Sequence, residues 1–134
     1  MSYLNWKAET RIFEPASYTA DETRLLFNVE AGDLIGLIIV RQIVAYNGSG
    51  TDAVLELGDG DDIDRYMDAG EIDETTTTSF VRAIGATGGT YILYRNFLYT
   101  AQDTIDVTFT ANTAGTRNAG RTEFTIYKAR VRPI

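Results

Sequence analysis

The densest run of ionisable side chains is Asp59-Gly60-Asp61-Asp62-Ile63-Asp64-Arg65-Tyr66-Met67-Asp68, with Glu71, Asp73 and Glu74 close behind. Calcium takes about six to eight oxygen ligands, so loop carboxylates of this density make Asp59, Asp61, Asp62 and Asp64 the candidate metal ligands. The spacing departs from an EF-hand: Ile63 falls at the third-ligand position, and Asp64 stands sixth, where that loop needs glycine. The competing reading is a solvated acidic loop partly neutralised by Arg65. Paired carboxylates also serve glycosidases as acid and base or nucleophile, but that chemistry requires a sugar cleft that no sequence feature indicates.

The chain has no Cys and no His. That removes thiol nucleophiles, Ser-His-Asp and Cys-His dyads, imidazole bases and zinc sites built on those ligands. Neither Gly48–Gly50 nor Gly85–Gly89 is followed by Lys, so neither is a phosphate loop, and no cofactor is expected. With 12 basic against 19 acidic side chains the formal charge is −7, the wrong sign for a phosphate-backbone binder, and no nucleic-acid partner is expected. No stretch approaches the roughly 18 apolar residues of a membrane span; the longest, Leu34 to Tyr46, is interrupted by Arg41 and Gln42. Met1 to Glu9 lacks a basic start followed by an apolar run, so no secretory signal is read and synthesis in a cytoplasm is expected.

Three further groups invite a partner. The N-terminal segment carries Tyr3, Leu4, Trp6, Ile12 and Phe13 before Pro15, more apolar surface than a solvated tail warrants. It is expected either to anchor on a partner through Trp6 or to form the first strand of the chain's own sandwich. Near the other end Lys128, Arg130 and Arg132 alternate with apolar residues and should share one face of the last strand, as a docking surface or as the charges that guard an edge. The aromatics Tyr91, Tyr94, Phe97 and Tyr99 fit a stacking platform or, more simply, core and subunit packing.

The elements that must position these groups are strands. From Asp103 to Thr110, Ile105, Val107 and Phe109 alternate with Thr104, Asp106, Thr108 and Thr110, the period of a half-buried strand. Leu34–Tyr46 and Tyr91–Tyr99 are apolar on both faces, which places them centrally or against another subunit. Asn47-Gly48-Ser49-Gly50 and Gly85-Ala86-Thr87-Gly88-Gly89 have the chemistry of hairpin turns, and the hairpin is preferred to the glycosylation motif that Asn47-Gly48-Ser49 also spells. Asn112–Gly120 separates the last two strands. One short helical turn is expected over Asp61–Ala69. The expectation is an all-β fold, an antiparallel β-sandwich of jelly-roll type with seven or eight strands. It forms a single domain over residues 1–134, with 1–14 an arm or first strand.

Ala31-Gly32-Asp33 leading into an apolar strand, then Ala45-Tyr46-Asn47-Gly48-Ser49-Gly50, Leu57-Gly58-Asp59-Gly60-Asp61-Asp62-Ile63-Asp64-Arg65-Tyr66 and Leu98–Val107, come in a telling order. Over about Leu25 to Thr110 this order resembles the small β-sandwich virion proteins of tailed bacteriophages, the head decoration (cement) and minor structural proteins. The resemblance implies a non-enzymatic protein made in the host cytoplasm. It implies binding to the major capsid protein on the capsid exterior, commonly as a homotrimer at threefold positions, and transfers no catalytic residue. The alternative on the same fold is a receptor- or glycan-binding module of a tail fibre or other appendage, and the weakest alternative is a carboxylate-dependent hydrolase.

Overall fold

A computed structural model of the protein describes residues 5–46, 54–69, 71, 74, 81–83, 90–93, 96–111 and 119–131, with side chains for all but 81–83, 90 and 91. Its elements are β1 (Lys7–Phe13), β2 (Glu22–Val29), β3 (Asp33–Val44), β4 (Val54–Asp59), β5 (Val81–Ala83), β6 (Thr90–Leu93), β7 (Phe97–Leu98), β8 (Asp103–Thr110) and β9 (Arg121–Arg130). Eight of them have three or more residues, and none of the described residues is helical. One sheet, here sheet A, runs β1-β9-β3-β6-β5 with β7 also paired to β3; the other, sheet B, runs β2-β8-β4. All ladders are antiparallel except β5 on β6. The fold is a β-sandwich.

Alternation explains why these segments are strands and which way each faces. Ile105, Val107 and Phe109 of β8 are fully buried while Asp106 and Thr108 between them are not. Thr122, Phe124 and Ile126 do the same in β9. In β3 the buried set changes parity, from Ile35 to Ile38, Val40 and Gln42, because a bulge between Ile35 and Leu37 inserts Gly36. These inner faces and those of β1, β2 and β4 enclose one core, joined by Tyr46, Tyr66, Met67, Leu93 and Tyr99. Each fully buried Leu, Ile or Phe contributes roughly 1.5–3 kcal/mol of burial energy, partly offset by ordering. Phe109 lies at the centre of an aromatic group, 5.8 Å from the Tyr46 ring and 6.2 Å from Phe13. In the polar part of the core the Thr122 hydroxyl donates to Gln42 Oε1 and lies 3.2 Å from Tyr46 Oη, while Gln42 Nε2 is buried without a partner among the described residues.

Several local expectations are corrected. The strands flanking Asn47–Gly50 belong to different sheets, β3 pairing with β9, β6 and β7 and β4 with β8, so they form no hairpin; the turn residues themselves lie outside the described residues. The strands flanking Gly85–Gly89, also outside the described residues, run parallel, which a tight hairpin cannot do. Tyr91–Tyr99 is not one strand: β6 and β7 meet β3 at different places. Asp61–Ala69 is irregular instead of helical, because its backbone is spent on β4: Met67 and Leu57 exchange both N–H···O bonds at 3.1 Å. Residues Glu9–Phe13 belong to the first strand, and Phe13, a candidate partner contact, is wholly buried in the core. Finally, the last strand is no edge: β9 lies between β1 and β3, so its cations guard nothing from pairing.

Candidate functional site

At the end of β4 the chain folds back so tightly that a methyl group on Gly58 would collide with the backbone of Asp62 and Ile63. Asp59, buried at this point, accepts the backbone N–H of Asp61 and Asp62 on Oδ1, at 3.1 and 3.0 Å. Its Oδ2 accepts Arg65 Nε at 2.5 Å and the Tyr99 hydroxyl at 2.8 Å, and Tyr66 donates to Tyr99 at 2.6 Å. Burial alone would push the Asp59 carboxyl up, but the Arg65 and Tyr99 hydrogen bonds, the backbone donor and the guanidinium charge hold it below the ordinary carboxylate range. Burial pushes both the Tyr66 and Tyr99 hydroxyls well above theirs, so they stay protonated. The Arg65 guanidinium sits 3.8 Å over the Phe97 ring, which meets Tyr99 edge-on at 4.8 Å. Phe97 and Tyr99 are thus packing groups beneath the loop.

Of the four candidate ligands, the fold brings Asp59 and Asp61 together and adds Asp103 from the start of β8, with an oxygen of each within 4.8 Å of the others; Asp62 and Asp64 stand outside the group. Nothing in the local spacing could have nominated Asp103, which lies 42 residues beyond Asp61 in sequence. Its Oδ1 accepts from Gly60 and Thr104 N–H. Because Asp59 already receives four donors, a cation here would have to displace Arg65 or the loop backbone; the arrangement works as an internal staple.

The cations of β9 are engaged in the same way. Arg130 binds Asp33 at 2.7 Å and Glu30 at 2.8 Å, and Lys128 binds Glu9 at 2.9 Å with Asp33 at 4.0 Å. Both reach Asp33, so they share one side of the strand as alternation requires. Burial pushes the Asp33 carboxyl up, but the Glu30 N–H and the two cations outweigh it and hold the group low. Arg132, Tyr3 and Leu4 lie outside the described residues.

The remaining candidates, Trp6 and Ile12, lead to a surface. Residues of sheet A that alternate with the buried set point away from the core: Trp6, Ala8, Thr10 and Ile12 along β1, Leu34, Leu37, Ile39 and Arg41 in β3, Glu123, Thr125, Tyr127 and Ala129 in β9, and Leu98 beside Leu34. Trp6 continues the β1 register to a place opposite Ala129 and lays its indole on β3, where a methyl on Gly36 would come within 2.6 Å of its Cη2. The indole is docked on its own sheet yet remains 46% exposed. Seven large apolar side chains among the described residues are exposed, and five of them, Trp6, Ile12, Val44, Leu98 and Val131, lie on or at the ends of this face; the others are Leu25 and Ile63. Charge is sparse there: Arg41 pairs with Glu123 at 3.2 Å, and Arg121 is the other charged group among the described residues. A run apolar on both faces, read as central or subunit-facing, thus supplies the middle of an apolar outer surface.

The outer face of sheet B is its opposite. It shows Thr23, Asn28, Glu56, Thr104, Asp106, Thr108 and Thr110, with Leu25 the one exposed large apolar side chain. Burial, then Asp64 and Asp68 of the acidic loop, raises Glu56; burial, then Asp103 and Asp59, raises Asp106. The molecule therefore has one apolar, nearly neutral side and one acidic side.

No protein family and no curated protein matches the chain. Among solved structures, a chain of the Cyanophage Pam1 capsid asymmetric unit is similar to it in fold, with 15% sequence identity and a TM-score of 0.62 over 95% of this chain and 84% of that one.

Proposed function

We propose that this protein is a non-enzymatic virion structural protein that binds and stabilises the outer surface of a phage capsid, as a decoration or cement protein. The observation that carries this reading is the fold likeness to a chain of a phage capsid asymmetric unit, which extends over nearly the whole of this chain. The site geometry agrees with it: the densest carboxylate cluster is consumed in an internal staple, and most of the exposed large apolar side chains among the described residues lie on or beside one sheet face suited to a partner. We take residues 1–134 as one domain, associating as a homotrimer with the major capsid protein as partner. We take the sandwich as jelly-roll type, since β1 to β4 alternate between the sheets and β8 and β9 cross once more.

The test is co-sedimentation of purified protein with capsids of its own phage, before and after expansion. Saturable binding to expanded capsids is expected. If binding is absent while a surface oligosaccharide gives a saturable change in Trp6 or Tyr fluorescence, the receptor- or glycan-binding module of a tail appendage replaces this reading.

A further inference from the structure

We propose that the outer face of sheet A is where the chain packs on further copies of itself, with Trp6 inside the contact. The inference rests on the self-association in the reading above and not on capsid binding.

Three observations select a second copy as the occupant. The first is charge: each copy carries −7, so copies can meet only where like charges are not brought together, and the described part of this face holds one neutralised pair and one arginine. The acidic side, with Glu56, Asp106 and the Asp59–Asp68 loop, then points away from the contact. The second is area. Four strands at about 4.8 Å spacing, taken over the ten residues of β9 at about 3.3 Å each, give a face of roughly 600 Å². Two such surfaces remove about 1,200 Å² from water, above the ~1,000 Å² that a specific interface needs. The third is composition: the face gathers an aromatic and branched aliphatics with hydroxyls rather than flexible charged side chains, the mix of an interface centre.

Trp6 is the only tryptophan, so its emission reports the contact directly. Sedimentation velocity on the full chain across a dilution series is expected to show an oligomer that falls to single chains. Over the same concentrations, Trp6 emission should shift to the red and its quenching by acrylamide should rise. Ile12→Glu and Leu98→Glu are each expected to raise the dissociation midpoint at least tenfold with the circular dichroism spectrum unchanged, while Leu25→Glu on the other sheet leaves it in place. An oligomer whose Trp6 quenching does not change on dilution places the contact elsewhere and overturns the proposal, as does a single chain at every concentration. A monomer in which Ile12→Glu abolishes capsid binding gives the face to the capsid instead and overturns it too. Loss of capsid binding with self-association intact counts against the decoration reading alone.

Discussion

Sheets A and B enclose the same core, and their inner faces are interchangeable in character: Ile35, Ile38 and Val40 on one side meet Leu55, Val107 and Phe109 on the other. Their outer faces are not. Between the buried residues of β3 stand Leu34, Leu37 and Ile39, whereas between those of β8 stand Asp106 and Thr108. The same strand geometry thus carries two different surfaces, and only the second is finished for water. What the difference teaches is that the apolar residues on the outer face of β3 are only half-buried in the lone chain, and the contact proposed above would cover them.

The largest effect is expected where the acidic side depends on a single cation. Arg65→Ala leaves Asp59 buried without its guanidinium, and urea unfolding should show a loss of about 3 kcal/mol. A loss below ~0.5 kcal/mol would mean that the staple is ornamental. Next comes the apolar side: Gly36→Val drives the indole of Trp6 off the sheet, at a cost of about 1–2 kcal/mol, together with a red shift of its emission in dilute protein. Unchanged emission would show that Trp6 does not lie on β3.

Acid titration separates the two kinds of carboxylate. Glu56 and Asp106 have folded-state values raised above their unfolded ones, so their ionisation costs stability, and that cost is relieved as pH falls from neutral through the raised values. Asp33 and Asp59 have lowered values; the stability they supply is present above their unfolded value of 3.8 and is lost as pH falls below it. Thermal melting followed against pH should therefore rise slightly on mild acidification and fall below about pH 4. A monotonic fall from neutrality would break the assignment. The smallest effect is Glu56→Gln, expected to raise the melting temperature at neutral pH by a degree or two and to flatten the mild-acid rise.

How far the sequence could foretell this varied with the range of the interaction. The alternation of β8 and the two-sided apolarity of β3 are local, and both are readable, but they leave open whether the outer face of β3 is covered by its own chain or by another subunit. Asn47-Gly48 announces a turn just as plainly, but turn chemistry says nothing about which sheet the next strand enters, and here β4 leaves for the other sheet. Likewise the charges of β9 read equally as a docking surface or as edge protection, because nothing near them in sequence reveals that β1 and β3 flank the strand. The acidic loop is legible as a cluster, yet the partner that completes the Asp59–Asp61 pair is Asp103, and the hydroxyl that donates to Asp59 is that of Tyr99. Register between distant segments decides such things, and a list of residues does not hold it.

The place of β9 between β1 and β3 has a further consequence, in the order of events during synthesis. β1 leaves the ribosome more than a hundred residues before its partner, since Lys7 pairs with Lys128, and β3 waits nearly as long, Asp33 pairing with Arg130. Until β9 emerges, both strands hold unpaired edges and β3 an uncovered apolar side, while β2, β8 and β4 can already assemble as sheet B. Folding that closes such long loops is slow, and nascent chains on one message sit near one another. The nascent chain is therefore most prone to pair with the wrong neighbour through β1 and β3, and co-expressed chaperones should raise soluble yield more for chains cut before Arg121 than for the full chain.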